Sequence, residues 1–316
     1  MKILLTGSAG FIGSHLAEAL VQEHNVIGLD NFCDFYEPQL KEQNIAALQT
    51  NPDFKLIKAD IRDQMQLSEI FSANQFDLVI HLAAMAGVRP SIENPQLYTE
   101  VNINGTVNLL EECRTHNIKN FIFASSSSVY GNNKKVPFAE SDPVDHPISP
   151  YAATKKAGEL ICHAYHHLHK ISLVCLRFFT VYGPRQRPDL AIRKFAVKML
   201  NGEEIPVFGD GSTRRDYTYI DDIIDGVLKS VEFVQNGCRY EIFNLGESQT
   251  ISLQEMITTL EATLHIKARK KYLPLQPGDV QQTYADISRA QTILGYDPKT
   301  DFTEGIARFV NWLKKQ

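Results

Sequence analysis

Apolar and polar positions follow two different periods along the first half of the chain. Short apolar runs bounded by polar residues predict strands at residues 2–6, 26–30, 54–58, 78–82, 120–125 and 173–178. Apolar residues at helical spacing predict helices between them, at residues 11–22, 66–71, 95–114 and 151–168. Such alternation is typical of a parallel sheet with helices on both faces. We therefore expect an α/β fold, a doubly wound parallel sheet of the Rossmann type.

The pattern changes near residue 180, where glycine and proline become frequent and the predicted helices, at 192–201 and 253–264, become shorter. A strand predicted at residues 240–245 is expected to return to the main sheet. We therefore expect a first domain at residues 1–180, with a returning segment near 214–246. Residues 181–316 are expected to form mainly a smaller α/β domain.

Composition and charge narrow the class of protein. The 316 residues include 32 Lys+Arg and 37 Asp+Glu, which gives a formal charge of −5, and 43% are hydrophobic. This is ordinary globular composition, and the mild acidity favours neither a nucleic acid nor an anionic membrane as partner. The apolar run at residues 3–5 is too short for a secretory signal, and no stretch approaches the roughly 20 apolar residues of a membrane span.

Cysteine and histidine positions indicate the compartment and the metal content. The five cysteines are scattered without a CxxC pair, which is typical of reduced thiols in a cytoplasmic protein. His163 and His167 have the i, i+4 spacing of metal ligands on a helix, but no carboxylate follows His163 as in HExxH. We therefore expect a helix surface there and no metal site.

A glycine loop follows the first predicted strand and opens the first helix. Gly7, Gly10 and Gly13 carry the GxxGxxG spacing, which differs from the GxGxxG of typical dehydrogenases. Glycines at such a turn let the backbone approach a pyrophosphate at the helix N-terminus. The loop therefore predicts a dinucleotide site, to which Phe11 and Ile12 also belong.

Acidic residues end the second and third strands. Asp30 lies 17 residues after Gly13, where a carboxylate binds the adenosine ribose and disfavours a 2′-phosphate. Because no Lys or Arg lies between Asp30 and Lys41, NAD is favoured over NADP. Asp60 is expected to contact the adenine amino group, although a simple loop cap is the alternative.

Tyr151 and Lys155 place a phenol and an ammonium at i, i+4 on one predicted helix face. A nearby cation favours the phenolate, so we expect the pKa of Tyr151 to lie below its usual value of about 10. A phenolate can take a proton from a sugar hydroxyl while a hydride leaves the same carbon. Many surface helices carry a Tyr and a Lys at this spacing. The pair indicates a catalytic site only because it follows a dinucleotide-binding loop in the same chain.

Together these segments resemble the extended short-chain dehydrogenase/reductase family, and within it the NAD-dependent nucleotide-sugar epimerases. The resemblance covers essentially the whole chain. Its motifs are TGSAGFIG at 6–13, LDN at 29–31, HLAA at 81–84, VNINGT at 101–106, SSSSVYG at 125–131, YAATK at 151–155, LRFFTVYGPRQRPD at 176–189 and RRDYTYIDD at 214–222.

The resemblance assigns expected roles to individual residues. It implies Ser126, Tyr151 and Lys155 as catalytic residues. The NAD contacts that it implies are Gly7, Gly10, Phe11, Ile12, Gly13, Asp30, Asn31, Asp60, Ile61, Leu82, Ala83, Ala84, Asn102, Tyr151 and Lys155. The UDP-sugar contacts that it implies are Arg89, Ser127, Ser128, Thr180, Arg187, Arg215 and Asp279. Asn102 is implied to support the active-site helix, and Gln276 replaces an arginine of the UDP-galactose enzymes.

The serine run bears on the reaction type. Family members that dehydrate dTDP-glucose carry Asp and Glu where Ser127 and Ser128 stand, and decarboxylating members carry Glu at the second position. The resemblance therefore implies epimerisation at C4 through a transient 4-keto sugar.

Three segments, at 29–41, 85–91 and 178–189, look most like UDP-glucuronate 4-epimerases. This implies conversion of UDP-glucuronate to UDP-galacturonate, with Thr180, Ser127, Ser128 and Arg187 holding the C6 carboxylate. The alternatives are a UDP-glucose or UDP-N-acetylglucosamine 4-epimerase, a UDP-glucuronate decarboxylase, or a silent NAD-binding regulator.

The resemblance also implies a homodimer and a role in polysaccharide synthesis. Family members pair the helices expected at 95–114 and 151–168 into a four-helix bundle across two subunits. Candidate seam residues are Val101, Leu109, Leu110, Leu160 and Ile161, for which packing in the core of one subunit is the alternative.

Overall fold

The computed structural model describes residues 1–274 and 280–316. Its strands are β1 (Lys2–Thr6), β2 (Asn25–Asp30), β3 (Phe54–Lys58), β4 (Leu78–His81), β5 (Asn120–Ser126), β6 (Ser172–Phe178), β7 (Thr180–Tyr182), β8 (Glu204–Phe208), β9 (Arg214–Arg215), β10 (Tyr217–Tyr219), β11 (Tyr240–Leu245), β12 (Ile251–Ser252) and β13 (Arg269–Leu273). Seven of them form one parallel sheet in the order β3-β2-β1-β4-β5-β6-β11. This is the Rossmann strand order with one further strand, so the predicted fold class is confirmed.

Helices cover both faces of the sheet. They are α1 (Phe11–Leu20), α2 (Pro38–Asn44), α3 (Gln64–Ser72), α4 (Val88–Glu93), α5 (Pro95–Thr99), α6 (Gly105–Thr115), α7 (Pro150–His169), α8 (Ala191–Leu200), α9 (Ile220–Val234), α10 (Leu253–Leu264), α11 (Ser288–Leu294) and α12 (Phe302–Leu313). Because both faces are covered, the central strands read as continuous apolar runs, and Ile3, Leu4 and Leu5 are fully buried.

Most strands of the first half were predicted within one or two residues, and β11 joins the main sheet beside β6 as expected. The helix predicted at 95–114 is instead α5 and α6 joined by a π-helical turn at Glu100–Asn104. The helices predicted at 192–201 and 253–264 are α8 and α10, whereas α9 was not predicted. This helix of 15 residues carries a buried apolar stripe and packs on α1 and β6.

The chain beyond residue 180 adds small two-stranded pairings. Within the described ranges β7 pairs with β10, β8 with β13, and β9 with β12. Among the candidate residues of a dimer seam, Leu109 and Leu110 are fully buried and Val101 is 9% exposed. The structure therefore favours the core alternative for these three, whereas Leu160 remains 60% exposed.

Candidate active site

One cavity of about 660 Å³ opens at the carboxyl ends of the central strands. Parallel sheets place ligands at this edge, where the strand order reverses. The structure brings most of the predicted residues together in its lining: Gly7, Gly10, Phe11, Ile12, Gly13, Asp30, Asn31, Asp60, Ile61, Leu82, Ala83, Ala84, Ser126, Ser127, Ser128, Tyr151, Lys155, Thr180 and Arg187.

Three of the predicted residues that the structure describes are absent from the lining. Arg89 and Arg215 are absent from the lining of this cavity; the Arg89 guanidinium lies 4.6 Å from the ring centroid of Phe208. Asn102 is 2% exposed and lies behind the lining. Asp279, like Gln276, falls outside the described residues. The expected diphosphate clamp by Arg89 and Arg215 therefore stays a prediction.

The glycine loop fits a pyrophosphate. Gly7 has φ +72°, and a Cβ there would lie 2.8 Å from the backbone nitrogen of Ala83. A Cβ on Gly13 would lie 2.0 Å from the carbonyl oxygen of Gly7. Only glycine allows this turn, which aims the first turn of α1 at the cavity, where free N–H groups attract an anion.

The acidic residues are held at the strand ends by hydrogen bonds. The Asp30 carboxylate accepts from the backbone nitrogens of Ala9, at 3.1 Å, and Phe32, at 2.9 Å. Asn31 Nδ2 donates to Asp60 Oδ2 at 2.9 Å. Hydrogen bonds from Arg62 lower the pKa of Asp60 to about 2, so Asp60 is ionised at neutral pH.

Folding brings two cations to this end of the cavity that the sequence argument left aside. Lys41 lines the cavity and donates from Nζ to the carbonyl oxygen of Cys33 at 2.8 Å. Arg62 lines it as well and pairs with Asp60 at 2.8 Å. No Lys or Arg lies between Asp30 and Lys41, and the two cations that do reach the cavity each bond a protein oxygen.

Helix α7 presents the tyrosine and lysine to the cavity. The helix begins where Ser149 Oγ accepts from the backbone nitrogen of Ala152 at 3.1 Å, with Pro150 in its first turn. One turn later Lys155 donates from Nζ to the carbonyl oxygen of Ala124, at the end of β5, at 2.7 Å. Lys155 is 4% exposed, and this burial lowers its pKa to about 8.

The expected lowering of the pKa of Tyr151 was wrong for this structure. Burial raises the pKa of the phenol, while a hydrogen bond with Ser126 and the charge of Arg187 act against that rise. The ammonium of Lys155 is engaged with Ala124. The tyrosine therefore rests as a neutral phenol at pH 7, with its ring edge-on to Tyr98 at a centroid distance of 6.3 Å.

Arg187 faces the same cavity from the loop after β7. Its guanidinium makes a bidentate pair with Asp189, at 2.9 and 2.8 Å, and lies 5.3 Å from the ring centroid of Phe35. Thr180 lines the cavity at the start of β7. A cation, a hydroxyl and the serines of residues 126–128 therefore line one cavity with Tyr151.

With this geometry in view, comparison with known proteins places the chain in a family. Residues 4–309 match the family model described as GDP-mannose 4,6 dehydratase. The chain belongs to this family of extended short-chain dehydrogenases/reductases. The predicted family is thereby confirmed.

Members of the family with known names and structures resemble the whole chain. UDP-glucuronate 4-epimerase 3 of Arabidopsis thaliana is 44% identical, over 98% of this chain and 76% of its own length. The crystal structure of UDP-glucuronic acid 4-epimerase from Bacillus cereus, with UDP-glucuronic acid and NAD, has a TM-score of 0.93 at 41% identity over 100% and 99% of the chains. UDP-glucose 4-epimerase of Thermotoga maritima, with UDP-glucose, has a TM-score of 0.91 at 33% identity, over 100% and 99%.

A buried polar network supports the site from behind, and the sequence argument missed it. Ser125 Oγ donates to Glu159 Oε1 at 2.6 Å, and Arg177 pairs with both Glu159 oxygens at 2.8 and 2.9 Å. Arg177 also donates to the hydroxyl of Tyr130 at 2.9 Å. A usable signal was present: an arginine inside the apolar strand β6 is a buried charge that requires a partner.

Asn102 ties the loop after β4 to α7. Its amide exchanges hydrogen bonds with the backbone of Met85, at 2.8 and 3.0 Å, and donates to Thr154 Oγ1 at 3.0 Å. The role implied for Asn102, support of the helix that carries Tyr151, stays a prediction. Asn102 belongs to the π-helical turn, a feature frequent at functional sites.

No group of three or more His, Cys, Asp or Glu in residues 1–274 and 280–316 is arranged to hold a metal ion. No helix in those ranges is long and apolar enough to cross a lipid bilayer.

Proposed function

We propose that this protein is an NAD-dependent UDP-glucuronate 4-epimerase, which interconverts UDP-glucuronate and UDP-galacturonate. The observation that carries the proposal is one cavity that is lined by Ser126, Tyr151 and Lys155 together with Thr180 and Arg187. Serines at 127 and 128 lack the carboxylates that dehydration requires. NAD, when bound along the glycine loop, supplies a reversible hydride acceptor for C4.

Proton transfer at C4 is assigned to the residues of β5 and α7. The resting phenol of Tyr151 first loses its proton, and the phenolate then takes the proton of the C4 hydroxyl. The re-formed phenol returns that proton after the keto sugar has turned over in the cavity. Ser126 is assigned a hydrogen bond to the same sugar oxygen; its Oγ donates to Ser128 Oγ at 3.2 Å, and it acts against the rise in the pKa of Tyr151. Lys155 holds its positive charge below pH 8 and stabilises the phenolate as it forms.

Retention of the carboxylate is assigned to Arg187 and Thr180. Oxidation at C4 of a glucuronate gives a β-keto acid, which loses CO₂ when its C–C bond aligns with the carbonyl π system. Charge-assisted hydrogen bonds from Arg187 hold the carboxylate in another orientation. Two relatives support the acid sugar, since their names state UDP-glucuronate or UDP-glucuronic acid.

A second candidate is a UDP-glucose 4-epimerase, and one observation favours it. The Nε and Nη2 edge of the Arg187 guanidinium already bonds the carboxylate of Asp189. A neutral hexose would leave that pair undisturbed, whereas an acid sugar brings a second carboxylate to the same guanidinium.

Product analysis separates the candidates. The purified protein is incubated in turn with UDP-glucuronate, UDP-glucose and UDP-N-acetylglucosamine, and the products are identified by NMR. UDP-galacturonate as the fastest product supports the proposal, and UDP-galactose supports the second candidate. A protein that carries no nicotinamide and binds none would overturn both, and UDP-pentose would indicate decarboxylation.

Three further expectations belong to the proposal. Residues 1–180 with the segment 214–246 hold NAD, and most of 181–316 recognises the nucleotide sugar. A homodimer forms through α7, where Leu160 and Leu168 are 60% and 68% exposed, and light scattering measures its mass. Buried free thiols at Cys113, Cys162 and Cys175 support a reducing, cytoplasmic location.

A further inference from the structure

The loop that carries Arg187 is anchored on helix α1, the helix that begins at the glycine loop. Arg185 Nη2 donates to Glu18 Oε1 at 2.7 Å, and its Nη1 donates to Ser14 Oγ at 3.4 Å. His15 Nε2 bonds the carbonyl oxygen of Pro184 at 3.0 Å. Residues 184 and 185 are therefore fastened to one face of α1, two residues before Arg187.

The backbone of this loop needs such an anchor. Arg185 has φ +62°, a left-handed conformation in which a non-glycine residue is strained. Strained residues of this kind persist where the surrounding contacts determine them. The contacts here are the ion pair with Glu18 and the His15 bond at the preceding carbonyl.

The next residue of the loop is held by β7 and α8. Gln186 is 1% exposed; its side chain donates to the carbonyl oxygen of Val181 and accepts from the backbone nitrogen of Arg193, both at 3.2 Å. Arg185 and Gln186 therefore hold the loop through different elements, α1 for Arg185 and β7 with α8 for Gln186. The next residue, Arg187, projects into the cavity.

We propose that Arg185 is a positioning residue that sets the place of the Arg187 guanidinium, and thereby the preference for an acid sugar over a neutral one. The proposal rests on the proposed function, because it takes the sugar carboxylate as the ligand of Arg187. Through the bond between Glu18 and Arg185, helix α1 fixes the position of Arg187, and the N-terminus of the same helix faces the cofactor diphosphate.

The test is the ratio of kcat/KM for UDP-glucuronate to kcat/KM for UDP-glucose. Glu18→Gln keeps the side-chain shape and removes the charge that holds Arg185. Arg185→Gly removes the anchor but accepts φ +62° without strain, so loss of selectivity cannot be attributed to a misfolded turn. Glu203→Gln is the matched control, since it breaks a 2.6 Å surface pair with Lys198 away from the cavity.

We expect both anchor variants to lower the ratio by about 5- to 10-fold, with kcat/KM for UDP-glucose unchanged and Glu203→Gln equal to the parent. In an Arg187→Ala background, Glu18→Gln should not lower the ratio further, because the guanidinium that Arg185 positions is absent. This non-additivity is a readout that a general structural role would not produce.

Three outcomes would overturn the inference. The ratio stays at the parent value in both anchor variants, both substrates lose activity equally, or the losses from Glu18→Gln and Arg187→Ala simply add. A parent protein without any preference for UDP-glucuronate is a different result. It refutes the proposed function itself, whereas the first three refute only the positioning role.

Discussion

The buried ion pair between Arg177 and Glu159 provides the sharpest test of how the site is supported. Their side chains are 1% and 0% exposed, and the two hydrogen bonds between them measure 2.8 and 2.9 Å. Arg177→Met leaves the fully buried Glu159 carboxylate with Ser125 and, at 3.5 Å, Lys156 as partners. Removing one partner of a buried pair costs about 3–5 kcal/mol, and we expect that loss in the free energy of unfolding.

Urea unfolding followed by circular dichroism at pH 7 measures the loss. The double variant Arg177→Met with Glu159→Leu should lose less than the single variant, because no charge is left unpaired. Arg114→Met is the matched control: its pair with Glu111 is also 2.9 Å long but 45% and 43% exposed, and we expect no resolvable change. A single variant as stable as this control would refute the reasoning.

The same pair has a pH signature. Burial alone would raise the pKa of Glu159, but the hydrogen bonds and charge of Arg177 hold it below its usual value. A carboxylate with a lowered pKa in the folded chain contributes stability above its unfolded pKa of about 4.3 and loses it as pH falls further. The difference between parent and Arg177→Met is therefore expected to be largest near pH 7 and to shrink below about pH 4.

Three substitutions test the cavity itself. Lys155→Met removes a buried ammonium, whose pKa is lowered to about 8 by burial, so we expect the variant to be thermally more stable than the parent at pH 7. We expect its kcat to fall by about 100-fold. The parent, unlike this variant, should gain stability between about pH 8 and 10, where the unfolded chain still binds the lysine proton. Gly13→Ala places a Cβ 2.0 Å from the Gly7 carbonyl oxygen, and we expect NAD affinity, measured by calorimetry, to fall at least about 10-fold. Arg187→Ala should lower kcat/KM for UDP-glucuronate about 10- to 100-fold, and that for UDP-glucose far less.

Each of these has a contrary result. A Lys155→Met protein with a lower melting temperature than the parent would show that the buried ammonium does not destabilise the folded protein. Unchanged NAD binding by Gly13→Ala would mean that the turn relaxes freely. Equal losses on both sugars in Arg187→Ala would remove the carboxylate role of that arginine.

Features that depend on near neighbours in the chain were predictable. Strand–helix alternation predicts the parallel sheet because each element must bury its own apolar face. The Gly7–Gly13 spacing predicts the phosphate turn, and the i, i+4 spacing of Tyr151 and Lys155 puts both in the cavity. Helix α9 also carries its apolar stripe in the local sequence, at helical spacing.

Only the tertiary structure decided which groups meet across long sequence separations, and what each one's environment does to its charge. The sequence by itself determined the sheet, the glycine turn and the tyrosine–lysine spacing, since these follow from backbone geometry over a few residues. It did not determine that Lys41 and Arg62 reach the cavity, or that Arg185 bonds Glu18 on α1. It also missed the raised pKa of Tyr151, because desolvation depends on how much water all the surrounding elements exclude together.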